Sequence, residues 1–282
     1  MKTLDNKVVA LTGAASGIGR ELALALASMG SHLALSDVDM EGLLAVQEEC
    51  EAIGHPVHVA LVDVSDKKEV EEWASEVNEH YGQVHVLINN AGIAAHGTIE
   101  ELPDEIFEQV MSVNFWGVVH GTRAFLPFLK RASQAHIVNL SSLFGLVGIP
   151  GQGAYNSSKF AVRGFSEALT QELELLSPHV KCSCVHPGGV KTNIARAARF
   201  VGQQLGRTDP DKLARRFDKV ASTTAEDAAQ QIIAGLLADK RRILVGKDAQ
   251  MLDALQRFIP SHYHDIVMRP YRKGLQRAKR SK

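Results

Sequence analysis

The sequence predicts an α/β protein of doubly wound type, a seven-stranded parallel sheet with helices on both faces. Short β-branched runs alternate with helix-period segments almost to the end of the chain. Amphipathic stretches fill the gaps, and no repeat, linker or low-complexity block interrupts the alternation. With 282 residues and 45% hydrophobic content, the chain can bury one substantial core.

Seven runs read as strands: Val8 to Leu11, His32 to Ser36, Val57 to Val62, Val84 to Ile88, His136 to Leu140, Val180 to Val185 and Arg242 to Val245. Among the intervening helices, Val70, Trp73, Ala74, Val77 and Tyr81 follow the i, i+3, i+4, i+7, i+11 pattern of one apolar face. The alternation loosens over 191–224, which contains Gly202, Gly206 and Pro210. Such a long insertion after a strand is expected to cover substrate. We therefore expect a catalytic domain over 1–250, followed over 251–282 by an apolar helical segment and a basic tail.

Charge and composition exclude several function classes. The 31 basic and 32 acidic residues nearly cancel, which argues against a globally basic nucleic-acid binder. Seven basic residues and no acidic one lie between Arg269 and Lys282; without them 24 basic residues face 32 acidic ones. The body is thus acidic and the terminus basic. A solvated tail is one reading, and peripheral contact with an anionic membrane is another. No apolar stretch is long enough to span a bilayer, the start lacks a signal-peptide pattern, and three cysteines make no disulfide framework. The expectation is a soluble cytoplasmic protein.

The first strand runs into Thr12-Gly-Ala-Ala-Ser-Gly-Ile-Gly19 and then a helix. Gly13, Gly17 and Gly19, with Ser16 and Ile18 between them, would bring backbone N–H groups and the positive helix end to a pyrophosphate. Asp37 ends the second strand, where its carboxylate would accept hydrogen bonds from ribose hydroxyls and repel a 2′-phosphate. Neither Ser16 nor Val38 supplies a cation for that phosphate. NAD(H) is therefore expected over NADP(H), with Asp37 as a mere cap or turn residue the alternative.

The spacing Gly13-x3-Gly17-x-Gly19 resembles the glycine motif of the classical short-chain dehydrogenase/reductase family, whose fold is of Rossmann type. Asn89-Asn-Ala-Gly92, Asn114, Ser141-Ser142, Tyr155-Asn-Ser-Ser-Lys159 and Pro187-Gly-Gly-Val-Lys-Thr192 follow in the family's order, over roughly residues 5–246. Among its members the chain is most similar to the hydroxysteroid and retinol dehydrogenase types.

Tyr155 and Lys159 are four apart and so share a helix face. A phenol near pKa ~10 is a poor base, but a neighbouring ammonium and the positive ring of NAD⁺ would bring it down toward the working range. The resemblance implies that Tyr155 exchanges the substrate proton and that Lys159 holds the nicotinamide ribose. It further implies that Ser142 binds the substrate oxygen and that Asn114 holds a relay water. It also places Asp63 at the adenine with Val64 beside it. Asn90, Ala91 and Gly92 fall under the adenosine ribose, and Pro187, Gly188, Val190 and Thr192 at the nicotinamide. Asp63 could instead be a strand-end cap.

For substrate contacts we expect His96, Leu143, Phe144, Ile149, Gln152, Gly189 and Phe200, a mostly apolar set suited to a hydrophobic alcohol or ketone. The resemblance implies a homodimer or homotetramer through 107–129 and 160–176. An NADPH-dependent carbonyl reductase and a non-catalytic NAD(H) sensor stay open as alternatives, although loss of Tyr155 or Lys159 would favour the sensor and both are present. No metal is expected: Cys182 and Cys184 read as one packed strand face, and His262, His264 and Asp265 lack a closing ligand. Two Asn-x-Ser sequons, at Asn139 and Asn156, fall within the site motifs and are discounted as glycosylation acceptors. The stripe Met251, Leu252, Leu255, Phe258, Ile259 is expected to pack on the body, cover the substrate mouth, extend a subunit contact or rest on a membrane.

Overall fold

Seven parallel strands form one sheet in a computed structural model that describes residues 1–202 and 221–280, the side chains at 195, 270 and 273–280 excepted. In chain order the elements begin with β1 (Val8–Thr12), α1 (Gly17–Ser28), β2 (His32–Asp37), α2 (Met40–Glu51), β3 (Val57–Leu61), α3 (Lys67–Tyr81) and β4 (Val86–Asn89). Then come β5 (Ala95–His96), α4 (Asp104–Met111), α5 (Gly117–Leu129), β6 (Ala135–Leu140), α6 (Gly153–Leu176), β7 (Val180–Pro187) and β8 (Arg199–Phe200). The chain closes with α7 (Ala225–Leu237), β9 (Arg242–Val245), α8 (Lys247–Phe258) and α9 (Tyr263–Arg280). The strand order is β3-β2-β1-β4-β6-β7-β9.

The connection direction reverses between β1 and β4. The crevice beyond their C-terminal ends is where folds of this topology bind ligands. Apolar residues on alternate sides of β1 feed two cores. Val9 and Leu11 pack with Leu22 and Leu26 of α1 and Ile232 of α7, while Val8 and Ala10 pack with Trp73 of α3 and Phe125 of α5. The Trp73 and Phe125 rings meet edge to face, with centroids 5.0 Å apart. The apolar face expected over Val70–Tyr81 is α3: its carboxylate cap is Asp66, it ends at Gly82 with φ 75°, and its Val70, Trp73, Ala74 and Val77 are buried.

Two features depart from the expected outline. Asn114 lies in a π-helical turn, Ser112–Trp116, between α4 and α5 rather than in a regular helix. A second sheet of two short parallel strands pairs β5 with β8, so Arg199 and Phe200 of the insertion are fastened beside Ala95 and His96. Neither strand is long enough to show a period in sequence. Of the insertion expected over 191–224, residues 203–220 lie outside the described residues; its base is closed by a bridge between Val190 and Thr223.

Candidate active site

The glycine turn is held against the end of β4. Asn90 Nδ2 donates to the Thr12 and Gly13 carbonyls at 3.0 and 2.8 Å, and Thr12 Oγ1 accepts from the Asn90 and Ala91 amides at 3.0 and 3.1 Å. A Cβ on Gly13 would lie 2.7 Å from Ala91 Cα, and one on Gly19 would collide with the Gly13 carbonyl. Ser16 is the residue before α1, yet its side chain caps nothing, and the first turn holds no acid. The amides around Gly17, Ile18 and Gly19 therefore face the crevice without a side-chain acceptor, as a diphosphate requires. Thr192 closes the other side, its Cγ2 3.3 Å from where a Gly17 Cβ would stand. These residues fit a dinucleotide diphosphate.

Asp37 sits at the crevice edge. Its Oδ2 accepts the Ala15 amide at 2.9 Å, and its Oδ1 accepts the Val38 and Asp39 amides at 2.8 and 3.1 Å. Asp39, not Asp37, caps α2. Asp63 lies just beyond β3, where the alternative reading is a strand-end cap, and its Oδ1 accepts from the Ser65 amide and hydroxyl at 2.9 and 2.7 Å. Val64 is buried against Gly117 of α5.

Around the tyrosine, three polar side chains gather: Ser142, Lys159 and Asn114. Ser142 Oγ accepts the Phe144 amide at 3.1 Å, which holds it at the end of β6. Lys159 Nζ is 5.7 Å from the Tyr155 ring centroid and donates to the Leu140 carbonyl at 2.9 Å. A Cβ on Gly92 would be 3.4 Å from Lys159 Nζ and 3.2 Å from Asn114 Oδ1, so this glycine leaves the space in which lysine and asparagine meet. The Asn114 side chain is already committed: Oδ1 accepts the Ile93 amide at 2.8 Å, and Nδ2 donates to the Ile93 carbonyl and Ser158 Oγ at 2.9 and 3.0 Å. Both Nδ2 protons are thereby used, while Oδ1 keeps a second lone pair.

Desolvation sets the electrostatics. It pushes the Lys159 ammonium down to about 8 and raises the Tyr155 phenol, which a hydrogen bond with Ser142 partly offsets. Burial thus opposes the lowering expected from the neighbouring ammonium together with the NAD⁺ ring.

The substrate residues fall into pairs. His96 stacks on Phe200 with centroids 5.6 Å apart, and burial lowers its pKa. Phe144 meets Tyr155 edge to face at 6.1 Å, and Gln152 bridges to Gly97, the residue after β5. Gly189 bonds through its carbonyl to the Thr223 amide at 3.4 Å. Leu143 departs from the expected lining; it is buried with Leu146, Val147 and Tyr263 in a cluster completed by Leu252, Leu255, Ile259 and Val267, and Ile149 packs there too. Among the described residues no group of three or more His, Cys, Asp or Glu side chains could hold a metal.

Several positioning residues were not read from the sequence. Ser141 Oγ donates to the Lys159 carbonyl at 2.8 Å and pins α6 to β6. His186, held neutral by burial that lowers it to about 4, donates from Nδ1 to the Ser142 carbonyl at 3.0 Å. Asp248 accepts the Gly189 amide at 2.7 Å. Ser141 and His186 adjoin motif residues, a signal too weak to separate them from core polar groups. Asp248 is far away in sequence and carried no signal.

Comparison with known proteins adds the following. The sequence model described as short chain dehydrogenase matches residues 7–200. A putative oxidoreductase, SadH, of Mycobacterium tuberculosis is 44% identical over 95% of this chain and 96% of that protein. Estradiol 17-beta-dehydrogenase 11 of Homo sapiens is 30% identical over 95% of this chain and 84% of that one. Among solved structures, a short chain dehydrogenase/reductase from Burkholderia phymatum in complex with NAD superposes with a TM-score of 0.85. It is 32% identical and covers 92% of this chain and 95% of its own. Levodione reductase is similar at a TM-score of 0.77 and 27% identity, covering 89% of this chain and 99% of its own.

Proposed function

The chain belongs to the short-chain dehydrogenase family, and from that premise we propose that it interconverts a hydrophobic secondary alcohol and its ketone with NAD(H) as the preferred cofactor. The convergence of Ser142, Tyr155 and Lys159 at the C-terminal edge of the sheet, beside an uncapped α1, is the observation that carries this reading. Bound NAD(H) supplies the site with hydride transfer. The side chains do the rest. Ser142 holds the substrate oxygen, and Tyr155 takes the alcohol proton in oxidation or returns it in reduction.

Lys159 is the group that makes the tyrosine usable. Buried, and already lowered to about 8, it passes between ammonium and amine close to working pH, so it can hand a proton on rather than only hold a charge. Phe144, His96 and Phe200 give the substrate side an apolar character with one polar edge. The preference for NAD(H) rests on Asp37, whose carboxylate is fixed at the crevice edge by three amides and would repel a 2′-phosphate.

Calorimetric titration with NADH and, separately, NADPH tests the cofactor, and turnover of hydrophobic secondary alcohols tests the reaction. Tighter NADH binding with turnover is expected. Tighter NADPH binding would overturn the Asp37 argument, and binding without any turnover would favour a cofactor-sensing role.

A further inference from the structure

The C-terminal pair α8–α9 has two unlike faces. The inner one is core: Leu252, Leu255, Ile259, Tyr263 and Val267 pack on Leu143, Leu146 and Val147, next to the Phe144 that abuts Tyr155. The outer one is apolar and open. Met251, Ala254 and Phe258 recur at i, i+3 and i+7 on α8, and all three are exposed, Met251 at 65% and Phe258 at 86%. Ile266 of α9 is exposed as well. Beyond it, basic residues recur at three- and four-residue spacing through Arg269, Arg272, Lys273 and Arg277, with no acid after Asp265.

We propose that this outer face docks on the surface of an anionic lipid bilayer, Phe258 and Met251 entering the headgroup boundary while the exposed Arg269 and Arg272 of α9 meet the lipid phosphates and carboxylates. An exposed apolar stripe joined to a polybasic helix is the combination that interfacial binding requires, since neither part suffices alone. Charge decides against the other occupants. A second copy about a two-fold axis would set this basic helix against its own equivalent. Among the described residues, Arg269 and Arg272 form no ion pair with the acidic body, and Arg272 reaches only Asp265 of the same helix, at 3.5 Å. No helix among the described residues is long and apolar enough to cross a membrane, so the contact is peripheral. Under the proposed function, docking sets the Ser142–Tyr155 edge beside the phase in which apolar substrates dissolve.

Flotation of the full chain with vesicles tests this, and it is read without substrate or cofactor, so it stands or falls separately from the catalytic reading. Phosphatidylcholine vesicles containing phosphatidylserine should carry the protein, pure phosphatidylcholine should not, and added salt should release it. Arg269→Gln with Arg272→Gln should weaken binding about 25-fold, and Phe258→Ser alone about tenfold. All three side chains are exposed, so the fold should survive. Absent binding, equal binding to both vesicle types, or indifference to these substitutions would overturn the proposal. So would a drop in solution mass on Phe258→Ser, which would make the stripe a subunit contact.

Discussion

Asp248 Oδ2 accepts the Gly189 amide proton at 2.7 Å, across 59 residues of sequence. The first turn of α8 thus braces the turn after β7 that the family places at the nicotinamide. The fit is close: a Cβ on Gly188 would overlap the Asp248 carboxylate. Asp248→Ala should leave the Gly189 amide without its acceptor, at a cost of about 1–3 kcal/mol. The effect should fall on the KM for NADH more than on kcat, with Asp248→Asn restoring most of it through its amide oxygen. Gly188→Ala should produce the same loss by collision. Steady-state kinetics of the three variants check this; equal loss in Asn and Ala variants would remove the bracing role.

Tyr155→Phe keeps the ring against Phe144, whose centroid is 6.1 Å away, and removes only the hydroxyl. Turnover should fall by about 10³-fold or more, the upper part of what a positioned acid/base contributes. NADH affinity measured by calorimetry should change less than about twofold. Retained turnover would show that the proton moves elsewhere.

Much of this was legible in the sequence because local chemistry and fold agree there. The seven strands declare themselves as β-branched runs between helix-period segments, and all seven fall in the sheet. Gly13 and Gly19 are legible because their backbones approach Ala91 and one another too closely for any other residue. What escaped depends on contacts between distant segments. The β5–β8 pair has two residues per strand, too few for a period. The Asn114 π turn differs from a helix by one hydrogen-bond register, which residue type does not encode. Leu143 looks like a lining residue by its place after Ser142, but α9 supplies Tyr263 to bury it.

Asp37→Ala should narrow the preference for NADH over NADPH, because the ribose acceptor and the repelling charge go together. Some loss of NADH affinity should accompany it, since the carboxylate also fixes the Ala15 amide inside the glycine turn at 2.9 Å. Asp37→Asn separates the two effects: it keeps an acceptor for Ala15 while removing the charge. Titration with both cofactors should therefore show Asn relaxing the discrimination with less damage to NADH binding than Ala. If Asn discriminates as wild type does, charge is not what selects the cofactor.

His186 makes the site sensitive to acid. Burial lowers it from 6.5 to about 4, and its Nε2 is buried with no partner, so protonation would add a donor with nothing to accept it. In the unfolded chain the imidazole binds its proton near the ordinary value. Between pH 6.5 and 4 the unfolded state therefore holds more protons, and stability falls as pH drops through this window. A shift of that size corresponds to on the order of 3 kcal/mol, fully present above pH ~6.5 and lost below ~4. His186→Asn places a non-titrating amide donor near the Nδ1 position that holds the Ser142 carbonyl at 3.0 Å. Urea unfolding at a series of pH values should give a shallower acid slope for Asn than for wild type. His136, buried and likewise lowered to about 4, should supply the slope that remains. An unchanged slope in His186→Asn would mean that the ring gains its proton in the folded chain without penalty.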